Sequence, residues 1–289
     1  MNGIEKEYSQ IIVNSTDFEM SDWIFLSKEL KDPYINRFAE GCKSIPVNSD
    51  TFDFDESSKP IVLRGILKKK IIYQCWKNER PFYYMDTGYF GNEKTASNPN
   101  GWKMWHRIIK NDLQHGKIIE RPNDRFQRFN KTFKPWKKTG TKILIAKPDD
   151  KPCRFYGIEL DEWVKNTVAE IKKYTDRPVE VRERAPNRID RIAHDTLEQA
   201  LDNDVFALVT FNSVAAVESI FHGIPAFTLA PANAASPVSL QDLSKIETPY
   251  YADYEKLYKW GCHLAYGQFH ISELRNGVAK KMLEENERY

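Results

Sequence analysis

The stretch FALVTFNSVAAVESIFHGIPAFT, residues 206–228, decides the fold. Its first six residues form a dense apolar run, as a strand buried in a parallel sheet requires. Asn212 and Ser213 interrupt that run. Residues 213–223 then read as a helix closed by Gly223, a residue that accepts the left-handed backbone of a helix C-terminus. Residues 225–229, PAFTL, return as a strand. The order is strand, polar turn, helix, strand.

The same alternation extends upstream. TKILIAKP (141–148) is a short apolar run closed by Lys and Pro. DEWVKNTVAEIKKYT (161–175) spaces Trp163, Val164, Val168 and Ile171 at helical intervals, with Asp161 as N-cap. PVEVRER (178–184) alternates like a strand, and RIAHDTLEQALDN (191–203) reads as a helix. Strands alternating with helices over 139–230 predict a parallel sheet covered on both faces. In the first half, QIIV (10–13) and PIVLRGI (60–66) read as strands and LKKKIIYQCWKN (67–78) as a helix. PFYYMDTGYFGN (81–92) reads as a strand ending in a Gly-flanked loop. The expected fold class is therefore α/β with two Rossmann-like domains. An N-terminal domain over 1–138 includes a basic connection, and a C-terminal domain spans 139–289. Residues 254–285 read as mostly helical.

Composition sets the outer limits. A chain of 289 residues suits two domains of ordinary size. A hydrophobic share of 41%, with 16 Phe, 14 Tyr and 7 Trp, supports packed cores. No run reaches the roughly 18–20 apolar residues of a membrane span. The opening MNGIEKEYSQ is charged, so no signal peptide and no membrane partner are expected. Cys42, Cys75, Cys153 and Cys262 are widely spaced, which predicts free thiols and a cytoplasmic location. The net charge of +2 hides a local excess: eight Lys and Arg against Asp124 alone between residues 121 and 142.

The polar interruption at 212–213 points to chemistry. Ligands of open parallel sheets bind at the carboxyl ends of the strands. Asn212 and Ser213 sit there and open a helix, whose first amides and dipole favour an anion such as a diphosphate. On a helical wheel Glu218, Ser219 and His222 share an arc of about 100°. That strip suits a cleft, with Glu218 placed to accept from ribose hydroxyls. A plain N-cap at Asn212 or Ser213, with Glu218 in solvent, explains the same residues.

This arrangement, carried by Ser213, Glu218, Gly223 and Pro225, resembles the nucleotide-sugar-binding half of GT-B glycosyltransferases over residues 139–289. The resemblance implies two domains facing a cleft, with helix 254–265 crossing back to the first domain. It also implies metal-independent transfer from a nucleotide-diphosphate sugar, a UDP-sugar first among the candidates. FYYMDTGYFGN, VTFNSVAAVESIFHGIPAFT and HLAYGQF together resemble phage-encoded glycosyltransferases that modify hydroxymethylated DNA bases. That resemblance implies DNA as partner, in a host-cell cytoplasm. Two alternatives stay open: transfer to a surface polysaccharide, and a nucleic-acid-binding protein on the same scaffold without catalysis.

The remaining candidates follow from position. Lys147, Arg182 and Arg184 end strands at the edge shared with Asn212, where a cation stabilises a leaving diphosphate. Each also reads as a solvated surface charge. Asp86, in MDTGYFG, suits a general base for an acceptor hydroxyl or an Asx-turn. His106 is the reserve acid–base residue. Arg64 and Gly88 share Asp86's edge and would line the acceptor side. In the basic connection, Arg125 and Arg128 would meet nucleic-acid phosphates while Phe126, Phe129, Phe133 and Trp136 stack on bases. The competing reading makes this segment a linker packed on both domains. DFD (53–55) mimics a metal-binding triplet but sits before a strand, and reads as a solvated loop.

Overall fold

A computed structural model of the chain describes residues 21–66, 69–92, 104–183 and 196–286. The strand expected at 10–13 and the first turn of the helix expected from 191 lie outside these residues. The first half runs β1 (Ile24–Ser27), α1 (Pro33–Gly41), β2 (Val47–Asn48), β3 (Ile61–Arg64), α2 (Lys69–Lys77), β4 (Phe82–Thr87) and β5 (Trp105–Lys110). A single helical turn, α3 (Asp124–Gln127), interrupts the basic connection. The second half runs β6 (Lys142–Ala146), α4 (Asp150–Phe155), α5 (Leu160–Ile171), β7 (Val179–Arg182), α6 (Leu197–Asp202), β8 (Val205–Thr210), α7 (Ala215–Phe221) and β9 (Ala226–Thr228). The chain closes with α8 (Tyr254–Tyr266), β10 (Gln268–His270), α9 (Ile271–Arg275) and α10 (Val278–Asn286).

Two sheets result. The second has strand order β7-β6-β8-β9 and is parallel throughout, as the alternation at 139–230 predicts. The first has order β10-β5-β4-β3-β1-β2, parallel from β2 to β4, with β5 antiparallel to β4. Both units are Rossmann-like. Local signals explain several boundaries. Asp32 Oδ1 accepts from the amides of Tyr34 and Ile35, and Pro33 takes the first helical position, so α1 starts there. At α5 the cap is Glu159 rather than the expected Asp161. Glu159 accepts from the amides of Asp161 and Glu162, which frees Asp161 for an ion pair.

The tail is mostly helical, as expected, with one strand added. After α8 the chain inserts β10 as an edge strand, antiparallel to β5, with Phe269 opposite His106. The segment at α8 thus does return to the first unit, and it does so by completing that unit's sheet.

The basic connection is a packed strap. Phe133 stacks on Phe221 of α7 at 4.5 Å between centroids, and Phe126 meets Phe90 edge-on at 5.9 Å. Trp136 Nε1 donates to Ala252 O at 2.7 Å. The Lys134 and Lys137 amides bond the carbonyls of Phe221 and Gly223. Gly223 has φ of +77°, and a Cβ there would fall 2.3 Å from Pro135 O, so only glycine closes α7 against the strap.

Arg125 corrects the expectation of a nucleic-acid contact. It is 4% exposed. Its Nε donates to Ala265 O (3.1 Å), Nη2 to Gln268 O (2.8 Å), and the two Nη atoms meet Glu273 at 2.6 and 2.9 Å. A guanidinium spent in this way holds the tail, not an external phosphate. Arg128 is exposed and pairs with Asp124 at 3.7 Å. Gly88 is buried, and a Cβ there would lie 3.0 Å from Gln268 Oε1, so it is a packing glycine rather than part of an open acceptor surface.

Removing one partner of a buried, hydrogen-bonded ion pair leaves the other charge uncompensated. Arg125→Met is therefore expected to lower stability by about 3–5 kcal/mol in urea unfolding. The double variant Arg125→Met/Glu273→Leu is expected to recover part of that loss. A single-variant loss below about 1 kcal/mol would show that the pair does not hold the tail.

Candidate functional site

The carboxyl rim of the first sheet carries two polar groups on opposite faces. Side chains alternate across a strand. Asp86 lies opposite Arg107 in register, so His106, one residue earlier, points to the other face. Asp86 and His106 therefore do not form an acid–base pair. On the face covered by α1, Arg64 lies 4.6 Å from the Tyr34 ring centroid and pairs with Asp32 at 3.2 Å. His106 stacks against Tyr34 at 4.1 Å and is 1% exposed, with Nδ1 lacking a partner. Burial first, then the Arg64 charge, depresses its pKa to about 3. The ring is neutral and enclosed.

Asp86 lies on the face that carries Tyr84 and is covered by α2. Its Oδ2 accepts from Arg107 Nη2 (3.1 Å) and from the Tyr84 hydroxyl (3.1 Å), and Oδ1 from the Thr87 amide (2.7 Å). Burial alone would raise its pKa. Arg107, the Thr87 amide, Arg64 and the Tyr84 hydroxyl outweigh that and hold the carboxyl below its usual range. Asp86 is thus an ionised, directed carboxylate with part of its side chain exposed.

From Asp86 a chain of polar contacts leads to the second half. Arg107 lies over the Tyr89 ring at 5.4 Å. The Tyr89 hydroxyl accepts from the His115 amide (3.2 Å) and faces His115 Nδ1 at 2.8 Å. Burial pushes the Tyr89 phenol up to about 12, so it stays protonated and donates to Nδ1, leaving the proton of neutral His115 on Nε2. His263 lies edge-on to His115 at 5.3 Å. Next to His115, Gln114 bridges the halves: Nε2 donates to Asn212 O (2.5 Å) and Oε1 accepts from the Ala234 amide (2.9 Å).

That bridge revises the reading of residues 212–222. Asn212 is a docking point for the first half. Ser213 Oγ accepts from the Ala215 amide and Ser213 O from the Ala216 amide. The Val217 and Glu218 amides bond Val214 O. The helix has seven residues, and the amides of Ala215, Ala216, Val217 and Glu218 are all bonded within the turn rather than directed at an anion. The expected polar strip is also divided. Ser219 is fully buried and donates to Ile224 O at 3.0 Å. His222 meets Asp202 at 2.6 Å and Lys134 at 3.1 Å. Glu218 is exposed.

The other donor-side candidates share the rim of the second sheet. Lys147 Nζ is held by Glu183 (2.6 Å) and Asp161 (3.2 Å), and its amide bonds Arg182 O. Arg182 pairs in register with Ala146, one residue before Lys147. Arg184 lies outside the described residues. Asp53 Oδ1 accepts from the Asp55 amide, which closes the DFD loop on itself. Among the described residues, no group of three His, Cys, Asp or Glu side chains is placed to hold a metal ion.

Tyr84, Arg107, His115 and Gln114 were missed in the sequence. The alternation of Trp105, Arg107 and Ile109 against His106, Ile108 and Lys110 is the strand signal that exposes Arg107. Gln114 has no comparable signal, because its role depends on contact across the two halves.

No family model matches the chain, and a search among curated proteins finds no match. Solved structures do resemble it. Thermosulfurimonas dismutans KpsC, described as a beta Kdo 2,4 transferase, is 12% identical, with a TM-score of 0.50 over 90% of this chain and 97% of that one. The KpsC structure described as a beta Kdo 2,7 transferase is 10% identical, with a TM-score of 0.48 over 90% and 99%. The first likeness shows a shared fold.

The enclosed imidazoles set a pH dependence. His106 titrates at about 3 and His263 at about 4 in the folded chain, against 6.5 for a free imidazole. The unfolded chain therefore binds more protons below pH 6.5, and stability falls as pH drops from there toward the folded values. Each such histidine contributes a slope of about 1.4 kcal/mol per pH unit. His106→Phe, which keeps a ring against Tyr34, is expected to flatten the slope by that amount between pH 6 and 4.5, read from urea midpoints. An unchanged slope would place the acid sensitivity elsewhere.

Proposed function

We propose that the chain is a glycosyltransferase that moves a sugar from a nucleotide-activated donor to a hydroxyl of a saccharide. The observation that carries this reading is architectural. This chain has two Rossmann-like units, and its likeness to a protein described as a beta Kdo 2,4 transferase extends over 90% of this chain and 97% of that one. In that layout the donor belongs at the carboxyl rim of the second sheet, beside Lys147 and Arg182, and the acceptor beside Asp86.

Each role has a physical basis. Lys147 and Arg182 supply positive charge for a departing phosphate, and Asp161 and Glu183 are the side chains Lys147 would release in exchange. Asp86 is ionised at neutral pH, the form needed to take a proton from an acceptor hydroxyl. Arg107 makes it a weak base but fixes its direction. That suits a step in which the acceptor proton leaves late, after the bond to the departing nucleotide has opened. Glu218 is exposed on α7 and remains the candidate partner for ribose hydroxyls.

A saccharide acceptor is favoured over DNA because the features that suggested DNA are used internally. Phe126, Phe129, Phe133 and Trp136 pack into the core shared by the two halves, and Arg125 is bound to the tail. Phe126 is buried and the other three rings are partly buried against that core, so most of their surface is already spent on protein contacts rather than left for bases.

Thermal shift against CMP, UDP and GDP compounds is expected to show stabilisation by at least one nucleotide. Lys147→Met is expected to weaken that binding about tenfold, the loss of one charge-assisted contact. Asp86→Asn is expected to leave nucleotide affinity within about twofold while lowering turnover about 10²-fold or more. Turnover is read as nucleotide release with saccharide acceptors and, separately, with hydroxymethylated DNA. Stabilisation by no nucleotide would remove the transferase reading. Transfer to DNA alone would remove the saccharide acceptor.

A further inference from the structure

A second ligand surface lies on α2, away from the rim that holds Asp86. Lys70, Tyr73, Gln74 and Lys77 follow the i, i+3, i+4, i+7 spacing of one helix face and border a shallow, open groove of about 460 Å³. Tyr73 and Trp76 are each 39% exposed. Both have their polar ends turned inward. The Tyr73 hydroxyl donates to Phe155 O, and Trp76 Nε1 donates to Asn111 O at 3.1 Å. The Tyr73 ring stacks on Phe155 at 5.0 Å with 5° between planes, and Trp76 stands 5.8 Å from it. The rings are thus anchored, and what they show to solvent is hydrocarbon.

The rest of the groove is cationic and uncommitted. Neither Lys70 nor Lys77 has an ion-pair partner among the described residues, and both are exposed. The Gln74 side chain lies between the two lysines along the helix. An anchored aromatic ring accepts the C–H face of a pyranose, an amide bonds neighbouring hydroxyls as both donor and acceptor, and an ammonium meets a carboxylate. α2 also covers the sheet face that carries Tyr84, the neighbour of Asp86 on that face. A chain whose end reaches Asp86 has α2 beside its path.

We propose that the α2 groove holds a carboxylated oligosaccharide, as a second binding site for the body of an acidic acceptor chain. The ligand class rests on the glycosyltransferase reading, and the groove itself rests on the geometry of α2. The hydrogen-bonding amide between the two cations favours a saccharide over a lipid surface.

The test measures binding by the full chain in the absence of any donor, so an inactive enzyme and an empty groove are separate results. Fluorescence anisotropy is read with labelled tetragalacturonate, with neutral cellotetraose as the comparison and with vesicles of phosphatidylglycerol and phosphatidylcholine in a parallel arm. Tetragalacturonate is expected to bind, and to bind at least about tenfold more tightly than cellotetraose. Lys70→Glu/Lys77→Glu, at exposed sites with no partner to lose, is expected to weaken it at least about tenfold, the scale of one charge-assisted contact. Tyr73→Phe, which keeps the ring, is expected to bind within about twofold of the parent. No binding, equal affinity for the neutral sugar, or binding unaffected by the double charge reversal would each overturn the proposal. Vesicle binding lost in the charge-reversed variant, without saccharide binding, would reassign the groove to a membrane surface and overturn it equally.

Discussion

One guanidinium ties the strap between the two sheets to the tail of the chain. Arg125 sits in a single helical turn of the strap between the sheets, and its donors reach the end of α8, the strand β10 and the carboxylate of Glu273. Without these bonds the carbonyls of Ala265 and Gln268 would lose their partner at the point where the chain leaves α8 for the first sheet. Desolvating so strong a charge is costly, and only a full set of acceptors makes it tolerable. The set is complete here, and the cation-rich strap is consequently structural at its centre and solvated only at its margins. Around this anchor the aromatic residues of the strap meet α7 and α8, giving the two halves a shared core.

The polar groups between the halves are organised by that closure. Asp86, Arg107, Tyr89, His115 and Gln114 form a continuous path from the rim of β4 to the turn after β8. Its members are directional: an ion pair, a ring under a cation, a phenol donating to an imidazole, an amide spanning two backbone groups. Such a path has few alternative arrangements. A carboxylate at one end and a strand turn at the other are therefore held in fixed relation.

Much of the second sheet was legible because its period is regular. Runs such as KILIA and FALVTF can only be buried strands, and the helices between them carry apolar stripes. The first sheet was harder to read. β1 and β5 carry Trp, Ser, His and Arg among their apolar residues, and β10 is three residues long between two helices, below any periodic signal. At the site, Asp86 and Lys147 were legible as strand-end residues, and the competing view of residues 121–142 as a packed linker describes what the segment does. The polar strip on α7 was misread because a helical wheel shows angle but not depth. Ser219 and Glu218 are adjacent in sequence, yet one is fully buried and the other faces solvent. Gln114 and Arg107 take their meaning from partners far away in the chain.

The placement of β10 also constrains how the molecule is made. The first sheet presents an unpaired edge at β5 until residues 268–270 arrive, after every strand of the second sheet. The nascent first unit must therefore wait with that edge bare while the second sheet, built wholly from local crossovers, is free to fold ahead of it. An exposed strand edge is a template for pairing with other chains. The first unit is thus completed only after the second, and how long its edge stays open to other chains depends on how quickly the tail docks.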